Sequence, residues 1–249
     1  MNRARGTPQI TICLLTFGNY TWLARRALDS IQQYCHRADY KLVVGANSVC
    51  DETRRLLHER HEAGNIDRLV VSPTNLSKCP MMRRMFADID TDYLWWFDDD
   101  SHIKEAGVLD RWLRVANTSP NSTVIWGSLA CCGHPASFAD MDDAVAFVRS
   151  ASWYRGMPPP SWRLGGGGEF NFQGLELGNG RWMFILGGCF MIRTSAVRAL
   201  DWPDLRLFRT GDDVFLGEAI RQQGWEQCNL EPLGVFMDTE PRRGPLRPI

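Results

Sequence analysis

The chain has 249 residues, 44% hydrophobic and 23% charged, with a formal net charge of −1. That length suits one large α/β domain with a substantial core, and the composition is ordinary for a soluble globular protein. Near-neutrality removes any global attraction to nucleic acid or an anionic membrane, though a local basic patch still acts within a Debye length.

Lysine and arginine gather at the two ends, in "MNRARG" and "PRRGPLRP", which read as solvated tails or as a binding arm. No apolar run reaches about 18 residues, so no transmembrane helix is expected. The opening "MNRARGTPQITICLLTF" is too short and too β-branched in its apolar part for a signal-peptide core. Of eight cysteines, Cys13 and Cys189 lie in apolar runs and Cys131 and Cys132 are adjacent, with no CxxC or Cys–His zinc spacing. Reduced thiols and a soluble cytoplasmic chain are expected (the host cell's cytoplasm, for a viral protein).

In chain order, "QITICLLTF" (9–17) predicts a buried strand with "GNY" as the turn after it. "TWLARRALDSIQQYC" (21–35) has apolar positions at helical spacing, with Thr21 as the expected cap. "YKLVVGAN" (40–47) predicts a second strand and "DETRRLLHERHEA" (51–63) a second helix, with Asp51 near its cap. A third strand is expected in "IDRLVVSP" (66–73) and a third helix in "KCPMMRRMFADI" (78–89), entered at a proline where a missing N–H costs least. "YLWWFDDD" (93–100) is the fourth strand. Such alternation implies right-handed crossovers and a mostly parallel sheet, which binds ligands at the carboxyl ends of its strands.

A helix in "VLDRWLRVANT" and a strand in "STVIWGSLAC" follow. Residues 150–180 then turn rich in proline and glycine, with Trp153, Tyr154, Trp162, Phe170 and Phe172 between them. A long loop inside a compact domain is often functional, and these aromatics suit an acceptor platform or a lid, unless the segment is a surface excursion. "WMFILGGCFMIRTSAVRAL" predicts strand, Gly187–Gly188 turn, strand and helix, and "GDDVFLGEAIRQQGW" (211–225) a helix opened by two acids. No internal repeat and no separate second domain is expected.

The acidic run Asp98, Asp99 and Asp100 follows an apolar strand, where folding alone would not place it, since close carboxylates repel and lose hydration. Mn²⁺ or Mg²⁺ gives the simplest account, being a hard ion that takes carboxylate oxygens and keeps waters or substrate phosphates as its other ligands. In an extended segment Asp98 and Asp100 would point to the same side. A strand end that merely caps the next helix would carry similar residues.

The succession "TICLLTFGNYTWLARRALDSI", "VVGANSVCDET", "NLSKCPMMRRMF", "WWFDDD", "GGCFMIRTSAVRAL" and "GDDVFLGEAIRQQGW" resembles the GT-A glycosyltransferases, most of all the inverting family 2. The resemblance spans residues 9 to about 236. It implies a GT-A fold with a mostly parallel central sheet flanked by helices. One domain over 1–249 would hold a nucleotide-sugar part near 9–103, an acceptor and catalytic part near 104–240, and a basic tail at 241–249.

Carried over by position, the resemblance puts Thr16, Phe17 and Asn19 at the nucleotide. Asn47 stands where an acidic residue normally reads base or ribose, with Asp51 close by. Lys78, Arg83 and Arg84 become candidates for the diphosphate, a task that suits arginine's fork. Asp98 and Asp100 form the DxD, with Asp99 between them also a donor contact. A weaker similarity to the Fringe-like β3-glycosyltransferases rests on the triple Asp and the later acidic pair. Many GT-A enzymes take a further metal ligand from a late histidine, but none follows His134. Asp238 is the nearest substitute. His102 is another, because "DSH" resembles the DxH site of polypeptide N-acetylgalactosaminyltransferases, although a residue just past the strand can also face away.

The implied reaction is metal-dependent, inverting transfer from a nucleotide-diphospho-sugar, a UDP-sugar first of all. A carboxylate must then take the acceptor hydroxyl's proton. Asp213 aligns with the base and Asp212 stands beside it, although acids also favour a helix N-terminus for its dipole. Gly187 and Gly188 would let the backbone lie close to sugar or acceptor, with Trp162 and Phe170 as acceptor contacts. The acceptor stays open among glycan, small molecule, protein and hydroxylated DNA base. Two rivals remain: a sugar-phosphate nucleotidyltransferase, which needs a basic Gly-rich loop after the first strand, and a non-catalytic nucleotide-sugar-binding module.

Overall fold

The structure, a computed structural model, describes residues 8–132, 141–157, 182–207, 212–231 and 233–237. A seven-stranded sheet has the order β3-β2-β1-β4-β7-β6-β8. Its strands are β1 (Ile10–Gly18), β2 (Tyr40–Val49), β3 (Arg68–Ser72), β4 (Tyr93–Asp98), β6 (Thr123–Cys132), β7 (Trp182–Arg193) and β8 (Glu226–Asn229). β3, β2, β1 and β4 are parallel, β7 runs against both neighbours, and β6 and β8 are parallel to each other. The mostly parallel sheet is as the sequence predicts. A second small sheet pairs β5 (Ser101–Ile103) with β9 (Val235–Met237).

The strand β1 shows why the centre reads as a continuous apolar run: both faces are covered by helices. Ile10, Ile12 and Leu14 pack with Ala27, Leu28 and Ile31 of α1 (Thr21–Tyr34), Leu57 of α2 (Asp51–Glu62) and Trp112 of α4 (Val108–Thr118). On the other face Cys13 and Leu15 join Met81, Met82 and Met85 of α3 (Lys78–Phe86), Val148 of α5 (Met141–Arg149), Val197 of α6 (Thr194–Ala199) and Phe215 of α7 (Asp212–Gln222). Period-two alternation along β4 sorts its aromatics the same way, Trp95 and Phe97 to the first face and Trp96 to the second.

Several expectations need correction. Thr21 does not cap α1; Tyr20 holds the cap position, and the Thr21 hydroxyl bonds Thr53 of α2 at 2.7 Å. The fourth strand stops at Asp98, because Asp99 and Asp100 form a turn that redirects the chain into β5. Gly187 and Gly188 make no hairpin turn. They lie within the single strand β7, at a bulge where Gly127 pairs with Phe190 but Leu129 already pairs with Ile185. Trp153 is no acceptor platform, since its indole is buried in the core and Gln223, in the turn after α7, donates to its carbonyl at 2.8 Å. The elements α5, β5, β8 and β9 went unforeseen. The six cysteines with described side chains carry free thiols. Among the described residues no helix is long and apolar enough to cross a membrane.

Candidate active site

The carboxyl end of β4, the bulge of β7 and the first turns of α3 and α7 meet at one point, and Lys78 sits in the middle of it. As the first residue of α3, it sends its ammonium 3.0 Å from Asp98 Oδ2, 3.2 Å from Asp212 Oδ2 and 3.0 Å from the Gly187 carbonyl. The ring of Trp96 lies 5.7 Å away. Residues more than a hundred positions apart thereby share one charge cluster.

Asp98 is mostly buried, and its second oxygen accepts the Trp96 indole N–H at 3.0 Å. Burial pushes its carboxyl up to about 6; Lys78 opposes that rise, while Asp100 and Asp212 add to it. Burial also disfavours charge on Lys78, but Asp212 and Asp98 outweigh it and hold the amine above its usual range. Asp213 is oriented by two backbone donors, Gly187 N–H to Oδ2 at 3.1 Å and Val214 N–H to Oδ1 at 2.9 Å. Its carboxyl is raised by burial and then by the charge of Asp212, against those N–H bonds.

Glycine at 187 follows from the packing. A Cβ there would stand 3.2 Å from both the Asp213 Cβ and the Lys78 Nζ. The bulge turns the amide N–H of this residue toward Asp213 and its carbonyl toward Lys78, so two successive peptide groups serve the two sides of the cluster. Gly188 contributes its carbonyl, which accepts the Ser101 hydroxyl at 2.9 Å and ties β5 to β7.

The other predicted residues divide. Asp99 is buried and accepts the Phe17 backbone N–H at 3.2 Å, joining the acidic turn to the end of β1. Asp100 lies close enough to raise Asp98, although the turn replaces the extended geometry expected for the pair. Thr16 is buried with its hydroxyl on the Gly45 carbonyl at 2.9 Å, and Asn19 is exposed in the following turn. The Asn47 amide organises the loop after β3, accepting Leu76 N–H at 2.9 Å and donating to Asn75 and Ser77.

Asp51 is exposed on α2 and paired with Arg54 at 3.2 Å. Arg83 and Arg84 do not join Lys78: five and six residues on, they lie on other faces of α3. Arg83 holds Asp201 instead, and Arg84 is exposed. His102 lies on the opposite face of β5 from Ser101, its ring 5.4 Å from that of Phe236. Asp238, Trp162, Phe170, Phe172 and the rest of 158–181, including most of the expected lid, lie outside the described residues.

Three contributors were missed. Trp96 orients Asp98, and the shared face of positions two apart in a strand could have revealed it. Ser101 and Arg26, whose guanidinium donates to the Asp100 carbonyl at 3.4 Å, carry no sequence signal for these roles.

A hard divalent ion fits this donor set. The oxygens of Asp98 and Asp100 stand at the turn, and Asp212 and Asp213 add to the local negative charge around one ammonium. Among the described residues no group of three or more His, Cys, Asp or Glu side chains is placed to hold a metal ion by itself. Mg²⁺ in particular is commonly held by one or two carboxylates plus substrate phosphates.

The profile of the family described as glycosyltransferase like family 2 matches residues 8–232. A comparison with curated proteins finds no match. Among solved structures, the mannosyltransferase PcManGT from Pyrobaculum calidifontis, in complex with GDP-Man and Mn²⁺, is similar at a TM-score of 0.61 and 13% identity, covering 91% of this chain and 56% of that one. TarS of S. aureus is similar at 0.57 and 10%, covering 90% and 35%. Its 1–349 segment in complex with UDP-GlcNAc gives 0.56 and 11%, covering 90% and 56%. At such identities the structural likeness speaks for the fold, and this chain spans little more than half of those chains or less. With the profile matched across nearly all of its length, the chain belongs to the glycosyltransferase-like family 2 and has the GT-A fold.

Proposed function

We propose that the chain is an inverting glycosyltransferase. It would move a sugar from a nucleotide-diphospho-sugar, a UDP-sugar first of all, to an acceptor hydroxyl on a glycan, small molecule, protein or hydroxylated DNA base. The observation that carries this reading is the meeting of Asp98, at the end of β4, and Asp212, at the start of α7, on the ammonium of Lys78. Single-displacement chemistry needs acidic groups for two tasks, one beside the leaving diphosphate and one beside the attacking hydroxyl. Family membership and the nucleotide-sugar complexes of similar structures support the donor class.

Asp98 and Asp100 would hold Mn²⁺ or Mg²⁺, which when bound supplies positive charge for the leaving diphosphate. Asp213 is the base. Its two backbone donors fix the carboxylate's direction, and its raised pKa brings it nearer the working pH, where a general base is most effective. It takes the acceptor hydroxyl's proton as that oxygen bonds the anomeric carbon and the bond to the diphosphate oxygen breaks. Asp212 shares Lys78 with Asp98 and keeps the two halves of the site in register.

Incubation with a panel of nucleotide sugars and Mn²⁺ tests this directly. One donor should raise the melting temperature and be slowly hydrolysed to nucleoside diphosphate; a panel without thermal shift or hydrolysis would refute the reading. A pH dependence follows from Asp98. Its pKa lies above the ordinary value, so the proton is bound below about pH 6 and the carboxylate is then a poor ligand. Cation-dependent nucleotide binding should weaken as pH falls through about 6, whereas a flat profile from 5 to 8 would show that protonation of Asp98 does not control it.

A further inference from the structure

Lys78 has three ammonium protons and three acceptors: Asp98 Oδ2, Asp212 Oδ2 and the Gly187 carbonyl. In this arrangement it has no proton to offer a diphosphate. A divalent cation at Asp98 would also face a like charge 3.0 Å from the same carboxylate. We propose that Lys78 is a resident counter-ion of the acidic cluster, which yields Asp98 to the cation and transfers its hydrogen bonds to the donor diphosphate.

The inference rests on the donor-binding reading above and goes beyond it, because it fixes how the two ligands influence each other. The residue is built for such an exchange. Its flexible four-carbon stem starts at the first position of α3, so the head can swing while the helix stays packed through Met81, Met82 and Met85. A cation arriving alone takes Asp98 from the ammonium, which keeps Asp212 and the Gly187 carbonyl but gains no partner in its place. A diphosphate arriving with it supplies that partner. Cation and nucleotide therefore strengthen each other's binding, and by linkage the effect is reciprocal.

The test uses Mn²⁺ alone, UDP alone and both together, read by calorimetry and by the paramagnetic resonance of free Mn²⁺. In wild type, UDP should tighten Mn²⁺ binding by about tenfold or more, within the usual span of coupled sites. Lys78→Met should bind Mn²⁺ alone more tightly than wild type, bind UDP more weakly, and lose most of the coupling. Unchanged or weaker Mn²⁺ binding by Lys78→Met, with coupling intact, overturns the counter-ion role and leaves the donor site standing. Wild type binding neither ligand overturns both.

A second readout needs no variant: acylation of the Lys78 amine, followed by peptide mass spectrometry. Its rate should rise with Mn²⁺ alone and fall when UDP is added. A rate indifferent to Mn²⁺ contradicts the proposal.

Discussion

Asp213→Asn is expected to leave the protein folded and able to bind nucleoside diphosphate while lowering glycosyl transfer by about two to four orders of magnitude, the usual worth of a general base. Asparagine keeps the shape of the side chain and can still accept one of the two N–H bonds from Gly187 and Val214. It cannot take the hydroxyl proton. The loss should therefore appear in kcat, with nucleotide affinity nearly unchanged. Asp212→Asn should cost less, because that carboxylate neutralises Lys78 and does not need to accept a proton. A larger loss at Asp212 would transfer the base role to it, and no loss at either position would leave the pair as a helix N-terminus that favours acids for its dipole.

Gly217→Ala should damage both stability and activity, although Gly217 touches no part of the acidic cluster. In an isolated helix the change would help by about 1 kcal/mol. Here the new Cβ would lie 2.5 Å from the Met183 carbonyl oxygen and 2.9 Å from the Phe184 Cα, both backbone atoms of β7 that cannot swing aside. Overpacking of this kind costs about 1–3 kcal/mol, which offsets the helix preference and leaves a net loss of up to about 2 kcal/mol. For a domain of this size that corresponds to a melting point lower by up to roughly 8 °C. Asp213 stands one helical turn before Gly217 on the same face, so lifting α7 from β7 also draws the carboxylate away from the Gly187 amide. Calorimetric melting and kcat should fall together. A variant as stable and as active as wild type would show that α7 is seated by other contacts.

The fold was largely legible because its signals are periodic. Apolar runs such as "ITICLLTF" and "KLVVGA" can be satisfied only between two layers of helices. The principal acids were legible for the opposite reason, since Asp98, Asp212 and Asp213 stand where hydrophobic burial cannot explain them. Long-range geometry was hidden. Nothing local distinguishes Lys78, which enters the cluster, from Arg83, which turns to Asp201. A Gly-Gly pair reads as a turn unless the partner strand is known, and here the pairing with β6 makes it a bulge. The Asp98–Asp100 geometry failed because a turn at Asp99 breaks the alternation that an extended strand would give.

On the proposed reading, Asp98 at the end of β4 and Asp100 in the turn after it are held for a cation that carries a nucleoside diphosphate. Calorimetric titration of UDP into wild type and Asp100→Ala, each in Mn²⁺ and in EDTA, separates this from an acidic turn without a ligand. Tight binding in Mn²⁺ that weakens strongly in EDTA, with most of that difference lost in a folded Asp100→Ala, is the predicted result. Equal affinity in Mn²⁺ and EDTA for the wild-type protein would contradict the account.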